Sequence, residues 1–289
     1  MKLLKVLKNN NQISSETVKH AFYPEKTGSF SMKMVFNGNT HYSIGRRQLN
    51  LYPDSFLTIN QGTSYSSKVD SWQPVSNLSI SFSPLFLADF CRAQRNIHQS
   101  LLDDPYKNED ISRDFFLETI YPFSGDMKYN ILHLKHQIEM ETSDDLLINE
   151  YLYHCLLNYY KVYNKEVLVK SEKLNFLNNS TKIEILKRLT FAKEFINSNY
   201  NKSIDLEDIA KSACLSVNHL LRTFKQAYGI SPHQYLIQVR IERAKYFLKN
   251  TSYTLNEIVE IVGFECPSSF IRLFRTMNKT TPGKYRVCV

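Results

Sequence analysis

Arg222 and Arg272 occupy the same place in two copies of one sequence pattern. An arginine held there can offer its planar fork of N–H donors to paired acceptors such as guanine O6 and N7. The first copy runs Leu206, Ile209, Ala210, Ala213, Leu215, Ser216, Leu220, Phe224, Lys225, Gly229, Ser231-Pro232 and Tyr235. The second runs Leu255, Ile258, Val259, Val262, Phe264, Phe270, Phe274, Arg275, Thr281-Pro282 and Tyr285-Arg286. From Phe224 and Phe274 onward the copies stay in step, with the proline eight residues later and the tyrosine eleven. The neighbours of each arginine suit the same chemistry. In the first copy these are Val217, Asn218, Leu221 and Lys225; in the second, Pro267, Ser268, Ile271 and Arg275. Asn218 matches adenine N6 and N7, while Val217, Leu221 and Ile271 can cover a thymine methyl, and each good bidentate pair discriminates by about 1–3 kcal/mol. Lys225, Arg275, Lys279 and Lys284 fit phosphate contacts, which strengthen binding without reading sequence. One such arginine alone would read as a solvated helix residue or the partner of a nearby glutamate. Its recurrence in both copies favours double-stranded DNA.

The elements needed to position these groups can be read from spacing. In each copy a short helix with apolar residues three or four apart stops at a small turn, and a second helix follows, starting in the first copy at Ser216, whose hydroxyl can cap the open amides. That is helix-turn-helix spacing, in which the second helix enters the major groove and its outward N-terminal residues meet base edges. Between the copies, Pro232 to Asn250 carries Tyr235, Leu236, Val239, Ile241, Ala244, Phe247 and Leu248 at helical spacing. One long helix there would fix the separation of the two recognition helices. Entry into successive grooves on one face of a duplex requires roughly 34 Å.

Charge divides along the chain. Residues 1–180 hold 19 Lys+Arg and 19 Asp+Glu, against 17 and 9 in 181–289, so the whole excess of +8 lies with the repeat and suits a polyanion there. From Phe30 to about Leu87 the residues alternate apolar and polar in short runs: Ser31–Phe36, Tyr42–Ile44, Ser55–Ile59 and Ser79–Phe82, with turns at Asn37-Gly38-Asn39 and Asn60-Gln61-Gly62. This predicts an antiparallel sheet closed as a sandwich or barrel. Phe36, Tyr42, Phe56, Tyr65 and Phe82 would line a ligand cavity or form a packed core; the core is the favoured reading. After about Asp110 the period becomes helical, with Ile131, Leu134 and Ile138 on one segment (Lys128–Glu141) and Leu147, Tyr151, Cys155 and Leu156 on the next (Leu146–Val162). A second apolar face on these helices would serve as a dimer seam. The polar stretch 170–181 predicts a linker.

Several classes are disfavoured. No apolar run approaches the roughly 18–20 residues of a membrane span, and the lysine-rich start leads into Asn9-Asn10-Asn11-Gln12, so a cytoplasmic protein is expected. Cys91, Cys155, Cys214, Cys266 and Cys288 are scattered and read as small packing residues, without a disulfide framework or zinc site. The rival class is a metal-dependent cupin-type enzyme with a basic tail. Such a site commonly begins with a His-x-His pair, which this sequence lacks, as it lacks a glycine-rich phosphate loop, GxSxG and HExxH. His133, His136 and Glu139, three apart on one helix, are its best metal candidates. A non-enzyme without metal or cofactor is expected, as against a module that titrates another regulator without reading DNA.

The C-terminal region resembles the AraC/XylS family of bacterial regulators. The matching residues run Ile204–Ala210, Ser216–Lys225, Gly229–Pro232, Arg240–Ala244, Ile258 through Gly263-Phe264, and Phe270–Arg275, ending at Pro282 and Tyr285-Arg286. The family usually has phenylalanine and glycine where Asn278 and Lys279 stand, which leaves a side chain at a left-handed helix cap. More loosely, His41–Ile44, Leu57–Gly62 and Tyr65 resemble the cupin-like barrel that many members carry first. The resemblance implies an α+β chain: 1–169, a cupin-like sensing and dimerisation domain with a helical segment; 170–181, a linker; 182–289, an all-α double helix-turn-helix domain. It also implies a homodimeric transcriptional activator that works with RNA polymerase, its activity set by a small effector or regulatory protein at the barrel.

Overall fold

The computed structural model describes residues 2–95, 117–140 and 144–287. The chain divides into two compact units, Met1–Val169 and Lys170–Val289. The expectations for Glu141, Asp110 and Cys288 fall outside the described residues.

The N-terminal unit is a sheet backed by helices. Its strands are β1 (Lys2–Val6), β2 (Gln12–Lys26), β3 (Ser31–Val35), β4 (Thr40–Ile44), β5 (Arg47–Leu51), β6 (Ser55–Ile59), β7 (Tyr65–Ser81) and β8 (Ile120–Pro122). All pair antiparallel, in the order β1-β2-β7-β3-β6-β8, with β4 joined to β5 and to β7. The pairings thus trace an open path with one branch. Strands β3, β4, β6 and the end of β7 fall where alternation predicts them; β1 lies in a stretch read only for its lysines and amides, and β2 lies almost wholly beyond it, in residues given no reading. Pro24 interrupts β2 between Tyr23 and Lys26, where the register with β7 shifts, because proline has no N–H for the ladder.

Alternation puts different chemistry on the two faces. Met32, Met34, Phe56 and Ile80 are fully buried, and Phe56 stacks on Tyr121 at 5.5 Å while Tyr159 meets both rings edge-on. Tyr159 lies on the last of the α-helices described in this unit, α1 (Pro84–Arg95), α2 (Gly125–Glu139) and α3 (Asp145–Tyr163), and α3 runs on into a π-helical segment at Asn164–Leu168. The α2 stripe of Ile131, Leu134 and Ile138 is buried as its spacing predicts. On α3 the buried stripe is Ile148, Leu152, Cys155, Leu156, Tyr159 and Tyr163, whereas Leu147 is exposed and Tyr151 only partly covered. Both sets satisfy helical spacing, so spacing alone left the phase one residue off. The residues of alternate parity, Val35, Leu57 and Ile59, join Tyr42, Ile44, Leu49, Leu51, Val69 and Val75 in a separate apolar cluster.

The C-terminal unit is helical. A short α4 (Val169–Glu172) leads through an irregular stretch into α5 (Asn179–Asn199), whose first turn is capped by Asn178. Residues 170–181, read as linker, are therefore helical at both ends. There follow α6 (Leu206–Ser212), α7 (Val217–Tyr228), α8 (Pro232–Asn250), α9 (Leu255–Ile261), α10 (Pro267–Asn278) and α11 (Pro282–Val287). Cys91 and Cys155 are buried, but Cys214 and Cys266 are exposed, which corrects their reading as packing residues. Both stand just before a recognition helix, where the chain turns at the surface.

Candidate nucleic-acid interface

Each copy of the repeat folds as two helices around a turn, and local chemistry sets every boundary. Asp205 caps α6 and Thr254 caps α9, in both cases through a reciprocal box with the residue three further on, Asp208 and Glu257. The Ser216 hydroxyl accepts from the His219 amide at the start of α7, as predicted. Cys266 fills the corresponding place before α10 and makes no side-chain cap. Each copy then needs two left-handed residues. The inter-helix turns place Cys214 at φ 51° and Gly263 at φ 81°; the ends of the recognition helices place Gly229 at φ 75° and Lys279 at φ 56°. Lys279 therefore adopts the left-handed cap although it carries a side chain.

Burial sorts the faces of the two recognition helices. Leu220, Thr223, Phe224 and Ala227 of α7 are buried, as are Phe270 and Phe274 of α10. None of the ten predicted contact residues is. Asn218, Arg222, Lys225, Pro267, Ser268, Arg272 and Arg275 are exposed, and Val217, Leu221 and Ile271 half-buried. The guanidinium groups of Arg222 and Arg272 make no hydrogen bond or ion pair among the described residues, so the competing glutamate partner is absent from both. The structure leaves two like groups, one per copy, on outward faces with their donors open. Lys279 and Lys284 are exposed as well.

Helix α8 joins the copies. Its 19 residues span about 28 Å at 1.5 Å per residue, and it starts with Pro232 behind a Ser231–Gln234 capping box. Sequence reading missed how α8 ties the two copies of the repeat together. Arg240 donates from Nε to the Tyr200 carbonyl at 2.7 Å and from Nη2 to that of Lys202 at 2.9 Å. Its guanidinium also lies over the Phe264 ring, 5.6 Å from the centroid. Burial pushes its pKa down, with Glu265 acting against that shift. Beside it, a Cβ built on Gly263 would sit 2.9 Å from the carbonyl carbon of Asn201. The turn of the second copy is thus pressed onto the loop that leads into the first. The one available signal for Arg240 was a charge amid the apolar spacing of α8; the Gly263 contact is backbone against glycine and leaves none.

The rival metal candidates are otherwise engaged. His133 Nδ1 lies 2.9 Å from the Tyr129 carbonyl, and Glu139 accepts from Lys135 and from Ser15. Among the described residues no group of three His, Cys, Asp or Glu is placed to hold a metal ion. Nor is any described helix long and apolar enough to cross a membrane.

Two capped helix pairs carried on one connecting helix, each with a basic outward face, define a double helix-turn-helix DNA-binding domain. Residues 209–287 match the family model described as "Helix-turn-helix domain", and the domain is of AraC type. The chain is 32% identical over 156 residues to the lactose operon transcription activator of Staphylococcus xylosus, a match covering 54% of this chain and 52% of that protein. It is 24% identical over 270 residues to the Msm operon regulatory protein of Streptococcus mutans, covering 92% and 87%. Among solved structures, the C-terminal domain of the two-component response regulator yesN from Fusobacterium nucleatum is 34% identical, covering 33% of this chain and 93% of that one, with a TM-score of 0.31. The chain spans about half the length of the lactose operon activator.

Proposed function

We propose that this chain is a transcriptional regulator that reads a bipartite DNA site, with α7 in one major groove and α10 in the next. The observation that carries it is the pair Arg222 and Arg272, exposed and unengaged at the same place in two copies of one fold. Asn218 and Ser268 supplement them at base edges; Lys225, Arg275, Lys279 and Lys284 hold phosphates. The N-terminal unit is a cupin-like sensor that shifts DNA affinity when a small effector or regulatory protein binds. The outer sides of α2 and α3 carry exposed Tyr129, Leu132 and Leu146, and we assign them to pairing of subunits as a homodimer. The protein acts in the cytoplasm alongside RNA polymerase, as an activator; similarity to the lactose operon transcription activator of Staphylococcus xylosus supports the activator reading.

The test is selection of bound sequences from a random pool, followed by gel shifts. Arg222→Ala is expected to relax preference within one half-site and Arg272→Ala within the other, by about 1–3 kcal/mol for the base concerned. Weakening that is equal across all sequences, with a shallower salt dependence, would reduce both residues to phosphate contacts.

A further inference from the structure

Lys33 is buried in the N-terminal unit, and its ammonium has one hydrogen-bond partner, the hydroxyl of Ser79 at 2.6 Å. It has no carboxylate partner among the described residues. Register explains its surroundings. Lys33 of β3 stands opposite Ser79 of β7, which stands opposite Ser14 of β2. Ser31, Ser81 and Gln12 continue that row on one side, and Asn77 and Glu16 on the other. Three adjacent strands therefore turn a polar row to the face that a packed core would line with apolar groups. The row borders a partly open cavity of about 200 Å³ that Tyr42 and Tyr65 also line, with the Lys33 ammonium 5.2 Å from the centroid of the Tyr65 ring. A second cleft shares Gln12, Lys26, Tyr65 and Ser81 with it.

Charge in the cavity is one-sided. Lys2 and Lys26 join Lys33, and Glu16, the one acid of the lining, accepts a hydrogen bond from Tyr23. A buried cation without a counter-ion is costly, and burial next to Lys26 lowers the Lys33 pKa to about 7. An incoming anion would remove that cost, while the serine, glutamine and asparagine groups would meet hydroxyls and the two tyrosines an apolar ring face.

We propose that this cavity binds a small hydroxylated acid, a sugar acid or a sugar phosphate, whose acidic group closes on the Lys33 ammonium. The inference deepens the effector reading above. Its test reads binding and not DNA occupancy, so either can fail alone.

The full chain is titrated calorimetrically with gluconate, glucuronate, glucose 6-phosphate, glucose and octanoate, each up to millimolar concentration. At least one hydroxylated acid is expected to bind about ten- to a hundredfold more tightly than glucose, the range of one charge-assisted bond. The carboxylates against the phosphate then show which headgroup is preferred. Above neutral pH, binding should take up a proton, visible as a heat that depends on the buffer. Lys33→Met is expected to abolish the preference for acids; if that variant does not fold, Ser79→Ala should weaken it severalfold. Glucose binding as tightly as the acids, octanoate alone binding, no acid binding, or unchanged affinity in the Lys33 variant would each overturn the proposal.

Discussion

Substituting Gly263 with alanine separates two costs that the fold imposes on the same residue. The first is conformational: φ is 81°, and an L side chain in the left-handed region costs about 1–2 kcal/mol. The second is contact. The new Cβ would sit 2.9 Å from the Asn201 carbonyl carbon and 3.0 Å from its Cα and oxygen, against about 3.5–4 Å for an ordinary contact. Those atoms are backbone and cannot swing away, so relief requires the turn and the loop to part, an overpacking cost of about 1–3 kcal/mol. Alanine also narrows the unfolded ensemble and returns about 0.4–1 kcal/mol. The expected net loss is about 2–4 kcal/mol. Gly229 supplies the control, since φ is 75° there but nothing lies within 4 Å of a built Cβ. Gly229→Ala should lose only about 1 kcal/mol. Urea denaturation followed by helical circular dichroism compares the two, with amide exchange in α8 and α9 as a local readout. The change also has a functional signature. Parting Gly263 from Asn201 disturbs the loop that Arg240 grips at Tyr200 and Lys202, and so the relation between recognition helices. Binding to a complete bipartite site should fall more than binding to either half. Equal stability losses in the two alanine variants, or equal loss on whole and half sites, would show that the turn and loop do not hold the copies together.

Two further outcomes follow from single residues. Lys279 holds φ 56° with a side chain, so Lys279→Gly should stabilise the C-terminal unit by about 0.5–1 kcal/mol in the same denaturation; a loss would mean that the side chain packs favourably at the cap. Lys33 has a pKa near 7 when folded and near 10.5 when unfolded. Between those values the unfolded chain binds more protons, so the burial penalty is complete below about pH 7 and fades as pH rises toward the unfolded value. Lys33→Met should therefore raise stability by at most on the order of 5 kcal/mol near pH 6 and by much less near pH 10. Thermal melts at the two pH values test this, and an equal gain at both would refute a charged, unpaired Lys33.

The C-terminal unit was readable because its determinants are side chains at helical spacing. Phe224 and Phe274 must be buried, Ser216 must cap, and the outward residues, Arg222 and Arg272 among them, then follow by exclusion. Backbone demands were harder to see. Laid against each other, the copies put Lys279 where Gly229 stands and Cys214 where Gly263 stands, so each copy meets one left-handed site with glycine and the other with a side chain. The N-terminal sheet shows the opposite difficulty. Ser79-Ile80-Ser81 reads correctly as a strand, and the ordinary inference turns its serines to water and its isoleucine to the core. Here Ile80 is buried on the face that also carries Met32 and Phe56, and the serines line a cavity with buried Lys33. Alternation specifies two faces of unlike chemistry. Whether the polar one meets bulk water or encloses a small pocket depends on the register of β2 and β3 against β7, which a single strand does not carry. That is why the aromatic list divides, with Phe56 and Phe82 packed in the core while Tyr42 and Tyr65 border the space where an anion would sit.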